Sequence, residues 1–190
     1  INVMRPVLRQ ENSENLSILA EMSIHAAKEA IDQAEISIKD IDAVILGTSH
    51  SARNYPSVAM EVMEELGIEG YGYDMLVGCS STTFAISNAY SDIASGLAET
   101  VLVINPELTS PHNDFTLRDS HFIFGDACVA SIVQKNSTSK CRAKILDRKL
   151  VTQFSNNIRS DFSYLNRVEE NPRSEKDLYF RQNGKSVFKE

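Results

Sequence analysis

An α/β fold with a mainly parallel sheet is the expectation for this chain, and two patterns support it. Apolar residues recur at helical spacing in several stretches. Between them lie short, continuous apolar runs of strand length, such as Ala43-Val44-Ile45-Leu46-Gly47 and Val101-Leu102-Val103-Ile104. Helix and strand patterns that alternate in this way build a sheet whose crossovers are helices.

Glu14 to Ala34 reads as a helix, with Leu16, Leu19, Ala20, Ser23, Ala27, Ala30, Ile31 and Ala34 on one stripe. Ser13 and Asn15 are the candidate caps. Ala43–Gly47 follows as a strand suited to a sheet covered on both faces. Thr48–Asn54 is a polar loop, and Tyr55-Pro56 is expected to open the next helix, with Gly67 closing it. Tyr73 to Val77 then runs into Gly78-Cys79-Ser80-Ser81, where the chain turns into a helix with Ile86, Tyr90, Ile93 and Leu97 on one face. After the strand at 101–104, residues 105–121 read as a long loop, a feature often tied to function. Ala127–Val133 and Ala143–Val151 are further strand candidates. Residues 152–178 read as loop-rich, 178–184 as an edge strand, and Ser186 as the start of a helix.

Composition limits the functions. A chain of 190 residues has room for a core, and 42% hydrophobic with 24% charged residues describes an ordinary globular protein. A net charge of −7 argues against nonspecific binding of nucleic acid. No apolar run is long enough to cross a bilayer, and no secretory leader is visible. Cys79, Cys128 and Cys141 show no paired spacing, and His25, His50, His112 and His121 are scattered. No metal site or cofactor is expected, and a reducing cytoplasm fits the cysteines. The chain begins on Ile1 and ends on Val187-Phe188-Lys189-Glu190, which suggests part of a longer protein.

Cys79 is the residue with chemical promise. At the head of a helix, free N–H groups and the helix dipole favour an anion, and the thiolate is the nucleophilic form of cysteine. The same N–H groups suit the oxyanion of an attacked carbonyl. The alternative is a buried cysteine that packs as a small hydrophobe.

Longer motifs decide between them. Asp74-Met75-Leu76-Val77-Gly78-Cys79-Ser80-Ser81, followed by Phe122-Ile123-Phe124-Gly125-Asp126-Ala127, resembles the β-ketoacyl-acyl-carrier-protein synthase III family. So do Thr48-Ser49 with Tyr55-Pro56-Ser57, and Asn183-Gly184-Lys185-Ser186-Val187-Phe188-Lys189, in the same order. The resemblance implies a layered thiolase-like fold. Residues 1–137 would be the N-terminal half carrying the nucleophile, and 138–190 the incomplete start of the C-terminal half. It also implies an acyltransferase of fatty-acid biosynthesis. Cys79 would take an acyl group from acyl-CoA, a substrate, and pass it to malonyl-acyl carrier protein in a decarboxylative Claisen condensation. The substrate-binding residues implied are Tyr55, Arg118, Phe124, Gly184 and Phe188, and the assembly implied is a homodimer. Asp126 is expected to tie the turn after Phe124 through local hydrogen bonds, a structural role.

The chain departs from the family pattern in three ways. Gly-Cys-Ser-Ser stands where Ala-Cys-(Ala/Ser)-Gly is common, and Asp126-Ala127-Cys128 stands where Asp-Gly-Ala is, which looks like a divergent branch using primers longer than acetyl. The family's catalytic His and Asn segments do not occur, so they are expected beyond Glu190. Other thiolase-fold enzymes, such as polyketide-starter or hydroxymethylglutaryl-CoA synthases, and a noncatalytic partner subunit are the alternatives.

Overall fold

The computed structural model describes residues 8–9, 14–118, 121–136, 143–160, 180–187 and 189. Its contacts divide into two compact units. One holds Arg9–Glu107 and Ala127–Leu150, the other the described residues of Ile1–Leu8, Leu108–Asp126 and Val151–Glu190.

The first unit is a four-stranded sheet with helices on both faces. Its elements are α1 (Ile18–Ala34), β1 (Ala43–Thr48), α2 (Val58–Leu66), β2 (Tyr71–Leu76), α3 (Ser81–Ser95), β3 (Thr100–Glu107) and β4 (Ala127–Gln134). The strand order is β2-β1-β3-β4. β2, β1 and β3 run parallel, and β4 closes the far edge antiparallel to β3. This is the mainly parallel sheet that the alternation predicts.

The period of two along β1 and β3 fixes the layers. Ala43, Ile45, Val101 and Val103 pack with Ala85 and Ala89 of α3. α1 and α2 touch each other and the sheet, and Gly72 of β2 faces Met63 of α2. Every residue of β1 is buried, as a central strand covered on both sides requires.

Several boundaries differ from the sequence expectation for tertiary reasons. α1 is capped by Ser17, not by Ser13 or Asn15. The Ser17 Oγ accepts the Ala20 N–H at 3.1 Å and donates to Glu61 of α2 at 2.8 Å. That partner lies far along the chain. α2 begins at Val58 behind an N-cap Ser57, so Pro56 falls outside the helix, after a cis Tyr55–Pro56 bond. Gly67 ends α2 in the left-handed conformation, as expected. On α3 the small residues Ala85 and Ala89 face the core with Ile86 and Ile93 beside them. Tyr90 and Leu97, expected on the buried stripe, are exposed. β3 runs on to Glu107, so the loop begins later than expected.

Residues 143–150 are not a strand. Arg148 ties this stretch to α3 instead. Its guanidinium donates to Ser87 O at 2.7 Å and Ser91 Oγ at 2.6 Å, and lies 4.1 Å over the Tyr90 ring. Leu146, within the stretch expected as a strand, is exposed.

In the second unit, β5 (Ile158–Ser160) pairs antiparallel with β6 (Phe180–Gln182), which leads into the short α4 (Gly184–Val187). Leu178, Tyr179 and Phe188, part of the expected strand and helix, lie outside the described residues, as does Cys141. No described helix is long and apolar enough to cross a membrane.

Candidate active site

Cys79 lies where the sequence puts it. β2 ends at Leu76, and Gly78-Cys79-Ser80 forms one 3-10 turn that passes directly into α3. The turn needs its glycine: Gly78 has φ +58°, a left-handed conformation that costs an L-residue free energy. The first backbone bond of the turn runs from Ser80 N–H to Val77 O at 3.3 Å, and the next from Ser81 N–H to Gly78 O. The Cys79 N–H comes ahead of both. The thiol itself is exposed, which removes the reading of Cys79 as a packed core residue.

Polar side chains that the sequence reading passed over hold the strand ends around this turn. Asp74, in β2, accepts the N–H groups of Val58 and Ala59 at 2.8 Å each and the Ser51 hydroxyl at 3.2 Å. It therefore caps α2 and brackets residues 51–58 from both sides. Asn105 donates its amide to Gly47 O at 3.1 Å, joining β3 to β1. Glu107 accepts from the N–H and hydroxyl of Ser49 at 2.9 and 3.0 Å. Burial raises the Glu107 carboxyl above its ordinary range, and the Ser49 hydrogen bonds act the other way. Ser81, 2% exposed, accepts the Val77 N–H at 3.2 Å and has Gly78 O at 2.7 Å and Thr48 O at 3.1 Å. Asp74 and Ser81 stand inside the motif that contains Cys79. Asn105 and Glu107 had only their place at a strand end to mark them.

The other candidates are spread over both units. Tyr55 belongs with Cys79 in the first unit and is 83% exposed. Arg118, Phe124 and Gly184 belong to the second. Arg118 is exposed. Phe124 is half-buried and packs edge-to-face on Phe180, with ring centroids 4.8 Å apart. Gly184 opens α4 just after β6. Phe188 lies outside the described residues. Asp126, expected to bond locally, reaches a distant stretch instead: it accepts the N–H groups of Thr109 and Ser110 at 2.8 Å each. Cys128, in β4, is half-buried. Desolvation pushes its thiol up to about 11, against a hydrogen bond with Ser23, so it is a poor nucleophile near neutrality. Among the described residues no group of His, Cys, Asp and Glu is placed to hold a metal ion.

A parallel-sheet layer with a cysteine in the turn after a strand end has the architecture of the thiolase-like condensing enzymes. A solved 3-oxoacyl-acyl-carrier-protein synthase III from Aquifex aeolicus superimposes with a TM-score of 0.76 at 27% identity, over 97% of this chain and 54% of that one. Residues 73–153 match the family profile described as 3-oxoacyl-acyl-carrier-protein synthase III. A β-ketodecanoyl-acyl-carrier-protein synthase from Pseudomonas aeruginosa is 48% identical over 98% of this chain and 54% of its own length. A β-ketoacyl-acyl-carrier-protein synthase III from Vibrio parahaemolyticus is 39% identical over 60% of this chain and 37% of its own. The chain belongs to the 3-oxoacyl-acyl-carrier-protein synthase III family. It spans about half the length of the relatives that it matches along nearly its whole extent.

Proposed function

We propose that the full-length protein is a condensing enzyme of fatty-acid biosynthesis that loads an acyl group onto Cys79 and extends it by two carbons. The observation that carries this reading is the Cys79 turn: an exposed thiol after a strand end, at the head of α3, with its own N–H ahead of the turn's hydrogen bonds. Ligands of parallel sheets bind beyond the carboxyl ends of the strands, which is where this thiol lies.

In the first step the Cys79 thiolate attacks the thioester carbon of an acyl-CoA. The oxyanion that forms is met by the Cys79 N–H. Collapse expels the CoA thiolate, which takes up the proton that Cys79 gave, and leaves a thioester on Cys79. In the second step malonyl-acyl carrier protein loses carbon dioxide, and the resulting carbanion attacks the acyl-Cys79 carbonyl. A carbon–carbon bond forms, the Cys79 thiolate leaves and takes a proton from solvent, and the product is a β-ketoacyl carrier protein. Groups that assist decarboxylation are expected from the family's His and Asn segments, not from the residues described above.

The primer proposed is of medium length. The Pseudomonas aeruginosa relative is named for a ten-carbon product, and a two-carbon extension reaches it from an octanoyl primer. Residues 1–137 and 138–190 are read as the nucleophile-bearing half and the start of the second half. Tyr55, Arg118, Phe124, Gly184 and Phe188 are proposed as substrate-binding residues, as the family resemblance implies. A homodimer in the cytoplasm completes the proposal; the outer edge of β2, which pairs with no strand among the described residues and has Leu76 exposed at its end, is compatible with it.

The test is a reconstituted reaction. Full-length protein, octanoyl-CoA and malonyl-acyl carrier protein are expected to yield β-ketodecanoyl carrier protein and carbon dioxide, and Cys79→Ala is expected to fall to background. Equal product from Cys79→Ala would remove that residue from the mechanism.

A further inference from the structure

We infer that Ser81 is a positioning residue that sets the direction of the Cys79 N–H, the donor assigned above to the oxyanion. The inference rests on the reading of Cys79 as the acyl acceptor. It starts from one peptide unit. The carbonyl of Gly78 and the N–H of Cys79 belong to the same planar group, and it is trans, since the cis bond found in the chain is Tyr55–Pro56. In a trans peptide the N–H points opposite to the C=O. Whatever fixes the Gly78 oxygen therefore fixes the Cys79 N–H.

Ser81 holds that oxygen twice. Its backbone N–H donates to Gly78 O, and its hydroxyl lies 2.7 Å from the same atom. A hydroxyl has one proton to give. Thr48 O, at 3.1 Å, is the more distant of the two carbonyls, so the proton goes to Gly78. The lone pairs of the hydroxyl take the Val77 N–H at 3.2 Å. Both flanks of the peptide stretch before Cys79 are thus held by one side chain, with the carbonyl turned in and the Cys79 N–H turned away from the clamp.

The clamp is itself rigid. Ser81 is buried against the end of β1, where a Cβ on Gly47 would come within 3.0 Å of both the Cβ and the O of Ser81. The absence of a side chain at Gly47 lets the head of α3 approach the strand that closely. The restraint answers a local need. Gly78, at φ +58°, has no Cβ to limit its rotation and nothing within 4 Å of where one would stand. A turn that obtains its shape from glycine gains its fixity from the serine that follows. A donated hydrogen bond at the Gly78 oxygen also polarises the peptide and strengthens its N–H as a donor.

A simple helix-start role for Ser81 would leave the two chemistries of the thiol equally affected. The clamp does not. Thioester attack builds an oxyanion and needs the Cys79 N–H; alkylation by iodoacetamide builds none. The experiment measures both rates at Cys79, by peptide mass, on the same preparations of full-length wild type, Ser81→Ala and Ser81→Gly. Both rates are read on the folded fraction isolated by size exclusion, because iodoacetamide also alkylates an unfolded chain that octanoyl-CoA does not load. Removing a whole oxyanion donor costs about a hundredfold or more in rate, so misdirecting one is expected to slow octanoyl transfer from octanoyl-CoA about tenfold. Alkylation should stay within about twofold. The same selective loss in Ser81→Gly, which lacks both hydroxyl and bulk, would support the clamp. An unchanged ratio of octanoylation to alkylation in the two variants would overturn it and leave Cys79 as the acceptor. No octanoyl on wild-type Cys79 would overturn the acceptor reading and the clamp with it.

Discussion

Glu107 is a carboxyl at a strand end whose partners are one serine's N–H and hydroxyl. Burial outweighs them and lifts its pKa above the ordinary 4.5. Folded chains then bind more protons than unfolded ones between that ordinary value and the raised one, so stability falls as pH climbs through the window. Glu107→Gln keeps an acceptor for Ser49 and removes the titration. Urea unfolding from about pH 4.5 upward should show the wild-type midpoint drifting down relative to the variant, and a constant difference between them would contradict the assignment. Cys79 and Cys128 show how far single residues can be read in a sequence. Cys79 follows an apolar run and precedes serines and threonines, whereas Cys128 lies in an apolar run; one is exposed in a turn and the other half-buried in an edge strand. The Gly-Cys-Ser-Ser run places Cys79 at a strand-to-helix turn, because glycine and hydroxyl residues mark one, and the longer motif resemblance singles it out as the nucleophile.

At the scale of elements, Asp74 joins two of them. A carboxylate on β2 takes the first N–H groups of α2, groups that a helix cannot satisfy internally. Asp74→Ala would leave two buried donors, at Val58 and Ala59, without their acceptor. The expected cost is about 1–3 kcal/mol in unfolding free energy, with faster amide exchange at those two residues than at the middle of α1. Periodicity recovered α1, α2 and α3 because each buries one side, and continuous apolar runs recovered the central strands because both their faces are covered. It failed where a contact from elsewhere decides the outcome. Ser17 outcompetes earlier caps through Glu61. Residues 143–150 follow α3 rather than a strand ladder because Arg148 finds Ser87, Ser91 and Tyr90 there. The candidate site was legible at Cys79 and through the motif resemblance. Its supports were not, since Ser49–Glu107 and Asn105–Gly47 join residues far apart in the chain, and no local pattern announces such pairs.

Taken whole, the sheet of the first unit is fastened differently at its two ends. At the amino ends of the strands, the Asp42 carboxylate takes Glu99 and Thr100 N–H at 2.7 and 2.9 Å, while its carbonyl takes Tyr71 N–H. Gly70, at φ +135°, has no room for a Cβ against that same carbonyl. These bonds are satisfied within the fold. At the carboxyl ends, Asp74, Ser81, Asn105 and Glu107 brace strand ends and loops around an exposed thiol, so the rigid parts surround the reactive one. The claim on which the functional reading stands is that this thiol accepts an acyl group from CoA. Its most direct measurement is the mass of full-length protein after incubation with octanoyl-CoA alone, followed by peptide mapping. The expected result is one octanoyl group on the Cys79 peptide, released by hydroxylamine and missing from Cys79→Ala. Unmodified protein, or octanoyl carried by Cys128 or Cys141 with Cys79 untouched, would contradict it.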